Sequence, residues 1–240
     1  MKYVRPFDHD QSHDTGAPGY RAQVISHLET ALIIGSWIRA GGCGPALHYH
    51  DSDQAYFLMR GMMNVQLGGD VHEIAAGTFV YIPAGVAHRN WNDGPEDEFH
   101  FELIVPAPTP GRPLLHPVDC VDDAPGSVSA AYVRTTNPTD FVVPEHFPGM
   151  AVCALATTEQ AVVNAIRMAP GGEGPGTHIH DFDQYYVVLS GALEVEVALQ
   201  RHHVEAGTVV LLPAGVPHRQ WNAGADDELH IALLAPAPAH

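Results

Sequence analysis

A repeat in unbroken register constrains this chain more than any other feature. His48, His50, Gln54, Gly61, Gly77, Pro83, His88 and Asn92 recur as His178, His180, Gln184, Gly191, Gly207, Pro213, His218 and Asn222, each 130 positions later. Tyr56/Tyr186, Arg89/Arg219, Trp91/Trp221, Glu98/Glu228 and His100/His230 survive the same shift. A duplication without insertions predicts two copies of one supersecondary unit in a single chain.

The unit is built of strands. Ala31–Ile38, Gln54–Leu58, Gly61–Leu67, Gly77–Ile82 and Glu98–Val105 are short apolar runs separated by Gly, Pro and Asp. Such runs, without helical periodicity, predict an all-β sandwich or barrel. Pro106–Pro113 carries too many prolines to continue a sheet and reads as a connector. We place the domain boundary near 118. Residues 1–117 then form the N-terminal barrel with a polar arm over 1–20, and residues 118–240 form the C-terminal barrel.

Charge and cysteines narrow the partners. The net charge is -17, with Lys2 as the single lysine, so phosphate backbones and anionic lipid are repelled. Nucleic acid and membrane surfaces are therefore not expected as partners. No apolar run is long enough to span a bilayer, and the residues after Met1 lack the apolar core of a signal peptide. Cys43, Cys120 and Cys153 form no CxxC pair, which fits reduced, mostly buried thiols in a cytoplasmic protein.

The chemistry sits in His48-Tyr49-His50-Asp51-Ser52-Asp53-Gln54 and its copy His178-Ile179-His180-Asp181-Phe182-Asp183-Gln184. Two histidines one residue apart share a strand face, and with a further donor they can begin a metal site. His88 and His218 are available downstream as additional ligands. Gln54, Tyr56 and Leu58 fall on one face, as do Gln184, Tyr186 and Val188. Tyr56 and Tyr186 are thus candidate catalytic residues, able to hydrogen-bond a substrate or transfer a proton. His100 and His230 share parity with Glu98 and Glu228. If inward they are proton shuttles or supports for the ligands; if outward they are surface residues. Trp91 and Trp221 read as packing residues, and Arg39 and Arg167 as surface residues. His9, His13, His27, His72, His116, His146, His202, His203 and His240 match no ligand pattern. The halves differ at Trp37/Arg167, Tyr49/Ile179, Tyr81/Leu211 and Glu102/Ala232, so their pockets need not be equivalent.

Gly42-x5-His48-x-His50-x3-Gln54-x6-Gly61 and Gly77-x5-Pro83-x-Gly85-x2-His88-x3-Asn92, each present twice, resemble the two signature motifs of the cupin superfamily. The resemblance covers about residues 30–108 and 160–238. It implies two tandem jelly-roll (double-stranded β-helix) barrels, a bicupin, with one divalent metal in each. The implied ligands are His48, His50, Gln54 and His88 in one barrel, and His178, His180, Gln184 and His218 in the other. Most metal-binding cupins have Glu where this chain has Gln. The amide oxygen still ligates but brings no charge, which leaves the cation a stronger Lewis acid and favours Fe(II) over Fe(III). Fe, Ni, Co, Zn, Cu and Mn all suit three imidazoles and an amide.

Cupins with Gln at this position include the bicupin isomerase of bacilysin biosynthesis, which this chain resembles in length, duplication and ligand set. The resemblance implies Lewis-acid-assisted proton transfer on a small oxygenated substrate, as an isomerase, tautomerase or lyase. The alternatives are an Fe- or Ni-dependent dioxygenase of phenols, flavonols or diketones, and a non-catalytic small-molecule binder. Cupins are often dimers, so a homodimer is a further expectation.

Overall fold

The computed structural model describes residues 2–238; His240 lies outside the described residues. Strands dominate, and the described helices are single 3-10 turns. No helix is long and apolar enough to cross a membrane. The chain divides into two compact units. One runs from Asp8 to Thr136; the other joins Asn137 onward with the segment ending at Phe7.

The N-terminal unit is a barrel of two antiparallel sheets. Its seven-stranded sheet runs Tyr132–Thr135, Thr78–Ile82, Asp53–Arg60, Glu98–Val105, Leu32–Ile38, Tyr20–His27, His13–Asp14. Its five-stranded sheet runs His116–Pro117, His48–Tyr49, His88–Trp91, Met62–Leu67, Asp70–Ala75. In Met62–Leu67 strict alternation buries Met63, Val65 and Leu67, while the intervening side chains are partly exposed. Asp53–Arg60 lies between Thr78–Ile82 and Glu98–Val105, so most of its residues are buried whichever way they point. The core gathers Leu32, Ile34, Leu58, Met63, Val65 and Val80 with their neighbours.

The C-terminal unit repeats this plan. A six-stranded sheet runs Val4–Pro6, Thr208–Leu212, Asp183–Ser190, Glu228–Ala235, Val162–Met168, Met150–Thr157. A three-stranded sheet of Gln200–Glu205, Ala192–Val197 and His218–Trp221 faces it.

The divisions of the chain differ in two places from those read in the sequence. The N-terminal unit continues past 118, because Tyr132–Thr135 pairs along Thr78–Tyr81. The polar arm is not one piece. Val4–Pro6 pairs with Thr208–Val210 of the C-terminal unit, whereas His13–Asp14 pairs with Arg21–Ala22 of the N-terminal unit. Backbone pairing holds both segments, and Tyr3 and Val4 also pack against the C-terminal core; neither segment has a strand-like apolar alternation that would have marked it in the sequence. Among the cysteines, Cys153 is buried, Cys43 half-buried and Cys120 exposed, and none of them is in a disulfide. The expectation of mostly buried thiols therefore holds for Cys153 alone.

Candidate functional site

Two turns bring the distant motifs together. Gly85 sits at φ +80°, a left-handed conformation that suits glycine, and its N–H donates to His50 O at 2.8 Å. That bond ties the turn before His88 to the end of the first motif, and His88 then pairs directly with His48. Gly215 repeats the arrangement with His180 O at 2.8 Å, and His178 bridges His218.

The result in each barrel is a triangle of imidazoles. Ring centroids are 4.3 Å apart for His48 and His88, 4.9 Å for His48 and His50, and 5.2 Å for His50 and His88. The matching values in the second barrel are 4.4, 4.7 and 5.2 Å. One ring nitrogen from each histidine lies within 4.8 Å of the others in both groups.

Each imidazole of the first barrel is fixed by its other nitrogen. Nδ1 of His48 bonds Ala46 O at 2.7 Å, that of His50 bonds Leu114 O at 2.6 Å, and that of His88 bonds Val86 O at 2.8 Å. A carbonyl accepts only, so each Nδ1 carries the proton and each Nε2 keeps its lone pair. Nε2 of His50 and of His88 are buried without a hydrogen-bond partner. Buried lone pairs without partners are costly, and a cation shared among them removes that cost. Burial, then the neighbouring His50, lowers the pKa of His48 to about 4. Burial also lowers His50, and it sets His88 well below the usual imidazole range. All three are therefore held in the neutral, ligating form.

Gln54 is held in place from one end. Its Nε2 donates to Glu102 Oε2 at 2.9 Å, and its Oε1 accepts from Tyr56 OH at 3.2 Å. In the second barrel Gln184 Oε1 stands 3.1 Å from His218 Nε2, while His218 Nδ1 bonds Val216 O at 2.9 Å. Two lone-pair atoms so placed repel each other unless something electropositive lies between them. About 3 Å is also the separation of adjacent ligands whose bonds to one ion are about 2.1 Å. Both donor sets thus fit a divalent cation.

The barrels differ in what surrounds the triangles. His48, His50 and His88 are all buried, whereas His178 and His180 are half-exposed. A cavity of about 270 Å³ opens onto the first site, lined by His48, His50, Gln54, Tyr56 and Glu102. Apolar Ile34, Ile104, Leu114 and Leu115 form much of the remaining wall.

Glu102 joins several strands. It accepts from Tyr20 OH at 2.6 Å, Ser36 Oγ at 2.5 Å and Gln54 Nε2 at 2.9 Å. His100 Nε2 makes an ion-pair contact with it at 3.3 Å, and His100 Nδ1 donates to Glu98 Oε2 at 2.9 Å. Burial alone disfavours the His100 imidazolium, but the two carboxylates outweigh burial and raise its pKa to about 10. Burial likewise opposes ionisation of Glu102, yet His100, Ser36 and Tyr20 hold its pKa at about 2. His100 and His230 are both inward: each is fully buried and paired with its Glu.

Tyr56 and Tyr186 are also inside their barrels, at 2% and 1% exposure. Trp91 and Trp221 are half-exposed under stacked arginines, Arg89 in the first case and Arg201 and Arg219 in the second, so neither packs the interior. The spacing of the repeat carries no information on which side of the sheet they take. Arg39 is exposed, and Arg167 lies over the Phe141 ring at 5.2 Å. His13, read as ordinary, lines the cavity. His116, also read as ordinary, stacks on Tyr49 and contacts Asp51 at 3.1 Å.

A family model for the Cupin domain matches residues 37–105 and again residues 164–234. The chain belongs to the cupin family. As a bicupin it is similar over its whole length to a protein of Pseudomonas aeruginosa described as glyoxylate-induced, with a TM-score of 0.75, 17% identity and 92% of that chain covered. Bacillus subtilis oxalate decarboxylase, in a structure concerned with its Mn(II) centres, aligns with a TM-score of 0.69 and 12% identity, covering all of this chain and 79% of that one. At these identities the likeness is one of fold. An uncharacterized protein of Streptomyces coelicolor is 31% identical over 61 residues, which is 25% of this chain and 58% of that relative.

Proposed function

We propose that this bicupin is a divalent-metal-dependent enzyme that moves a proton on a small oxygenated organic substrate, as an isomerase, tautomerase or lyase. We place the reaction in the N-terminal cavity. One observation carries the reading: the Nε2 atoms of His50, which lines the cavity, and of His88, the third member of its triangle, are buried lone pairs without a hydrogen-bond partner. The ligands would be His48, His50, Gln54 and His88, with His178, His180, Gln184 and His218 as the second set. A cation held there would supply Lewis-acid polarisation of a substrate oxygen.

The chain's own groups do the rest. Burial, then Glu102 and Glu98, raises the Tyr56 pKa well above the ordinary phenol value. Tyr56 therefore keeps its proton at neutral pH and acts as a donor to a substrate oxygen. Glu102 is held ionised by its partners and is a weak base, so outside the ligand set the lining offers the imidazole of His13 as the group with a lone pair for the proton. Ile34, Ile104 and Leu115 keep water from the reacting carbon. Among the described residues no Lys or Arg lines the cavity. The lining therefore suits a substrate whose remainder is uncharged and rests against the apolar wall.

The test is proton exchange. Protein loaded with Mn(II), Fe(II), Co(II) or Ni(II) is incubated in D₂O with 2-oxo acids and sugar acids, and α-hydrogen exchange is followed by NMR. Metal-dependent exchange that is lost in His50→Ala supports the reading. No exchange with any metal, or oxygen uptake with catechols, flavonols or diketones, overturns it in favour of a binder or a dioxygenase.

A further inference from the structure

Resting on the metal reading above, we infer that Glu102 is the positioning residue that turns Gln54 into a metal ligand in the N-terminal barrel. An amide presents either an oxygen or an NH₂ group, and only the oxygen binds a cation. Nothing in the HxHxxxQ spacing chooses between them. Glu102 makes the choice, because its carboxylate oxygens accept and cannot donate. With Gln54 Nε2 held at 2.9 Å from Glu102 Oε2, the opposite end of the amide, Oε1, is left for Tyr56 OH and the imidazole side of the site.

The carboxylate is itself held. Tyr20 OH and Ser36 Oγ donate to Oε1 while Oε2 takes the Gln54 amide, so each oxygen has its own partners. Glu102 is only 6% exposed. A carboxylate buried so deeply is stable only with its bonds made. Rotating the Gln54 amide would set a carbonyl oxygen against that carboxylate.

The second barrel serves as an internal comparison. In repeat register Tyr20, Ser36 and Glu102 become Met150, Ile166 and Ala232. All three replacements lie in the apolar core of that barrel. The carboxylate and its two hydroxyl donors are thus replaced together, as expected of one functional unit. Gln184 has the ligand position but not the carboxylate, and its amide rests against His218 instead. The two sites therefore share a ligand set and differ in how firmly the amide is oriented.

The experiment isolates the N-terminal site with His178→Ala and His180→Ala, and uses Co(II) as the probe. Affinity is read by chelator competition, and ligand geometry from the visible d–d absorption. Losing a residue that orients a ligand typically costs about 10- to 100-fold in metal affinity. That loss, with a changed Co(II) spectrum, is expected for Glu102→Ala. Glu102→Gln, which keeps one acceptor oxygen at the same reach, recovers part of both. Circular dichroism confirms that each variant is folded, and Glu102→Gln serves where the alanine variant is not. Unchanged affinity and spectrum in folded variants overturn the role of Glu102 while leaving the metal site standing. No Co(II) binding by the parent protein overturns both.

Discussion

At the scale of single residues, the site depends on which groups hold protons. Tyr56 has the reach and protonation of a donor. Tyr56→Phe should lower α-proton exchange by about 100-fold or more, the usual worth of general acid–base catalysis, with metal content unchanged. Stability should depend on pH for related reasons. The pKa of His48 is lowered to about 4, as is that of His218 through burial. As pH falls from about 6.5 to about 4, the unfolded chain takes up protons that the folded chain refuses, so stability is lost through that window. His100 acts in the opposite sense. Its pKa is raised to about 10, so its contribution is full below about 6.5 and fades as pH rises towards 10. Glu102 contributes above the ordinary carboxylate range and loses its contribution only as pH falls towards 2. Thermal unfolding of the metal-free protein at stepped pH should show a maximum near pH 6.5, roughly where the two His windows meet. A midpoint rising steadily from pH 5 to pH 9 would contradict these assignments. The six histidines of the two triangles were legible in the sequence because their spacing is local and repeated. The role of Glu102 was not. Its partners Tyr20, Ser36, Gln54 and His100 come from four strands, and the repeat comparison showed it only as a difference from Ala232.

At the scale of elements, the short strands and their turns were legible from alternation and glycine spacing. Segments that join a sheet without an apolar pattern were not; His116–Pro117, beside His48–Tyr49, is one of them. That pairing accompanies the Leu114 carbonyl that fixes His50. Gly61 shows how a turn can bear on the site from a distance. Its φ is +80°, and a Cβ there would approach the Glu98 Cα to 2.9 Å. Gly61→Ala should therefore cost about 2 kcal/mol from the left-handed conformation alone, lowering the melting temperature by roughly 4–8 °C for a chain of this size. Glu98 is the partner of His100, so the same substitution should also flatten the alkaline limb of the stability profile. Gly69→Ala, where nothing lies within 4 Å and no left-handed φ is imposed, is the control and should change little.

At the scale of the whole molecule, duplication gave two metal-ready triangles, and divergence separated their surroundings. The N-terminal site is buried beside a cavity lined in part by Glu102, while two of the three C-terminal imidazoles are half-exposed and Ala232 takes the place of the carboxylate. His50→Ala should therefore abolish turnover, and His180→Ala should leave at least half of it; equal losses would contradict the inequality of the barrels. The most direct measurement is the metal content of protein purified without a histidine tag, repeated for His48→Ala with His88→Ala. The account predicts at least one divalent ion per chain in the parent and a loss of about one ion in the double variant. A parent that holds no ion after incubation with Mn(II), Fe(II), Co(II), Ni(II) or Zn(II), or a double variant that keeps the full complement, would contradict it.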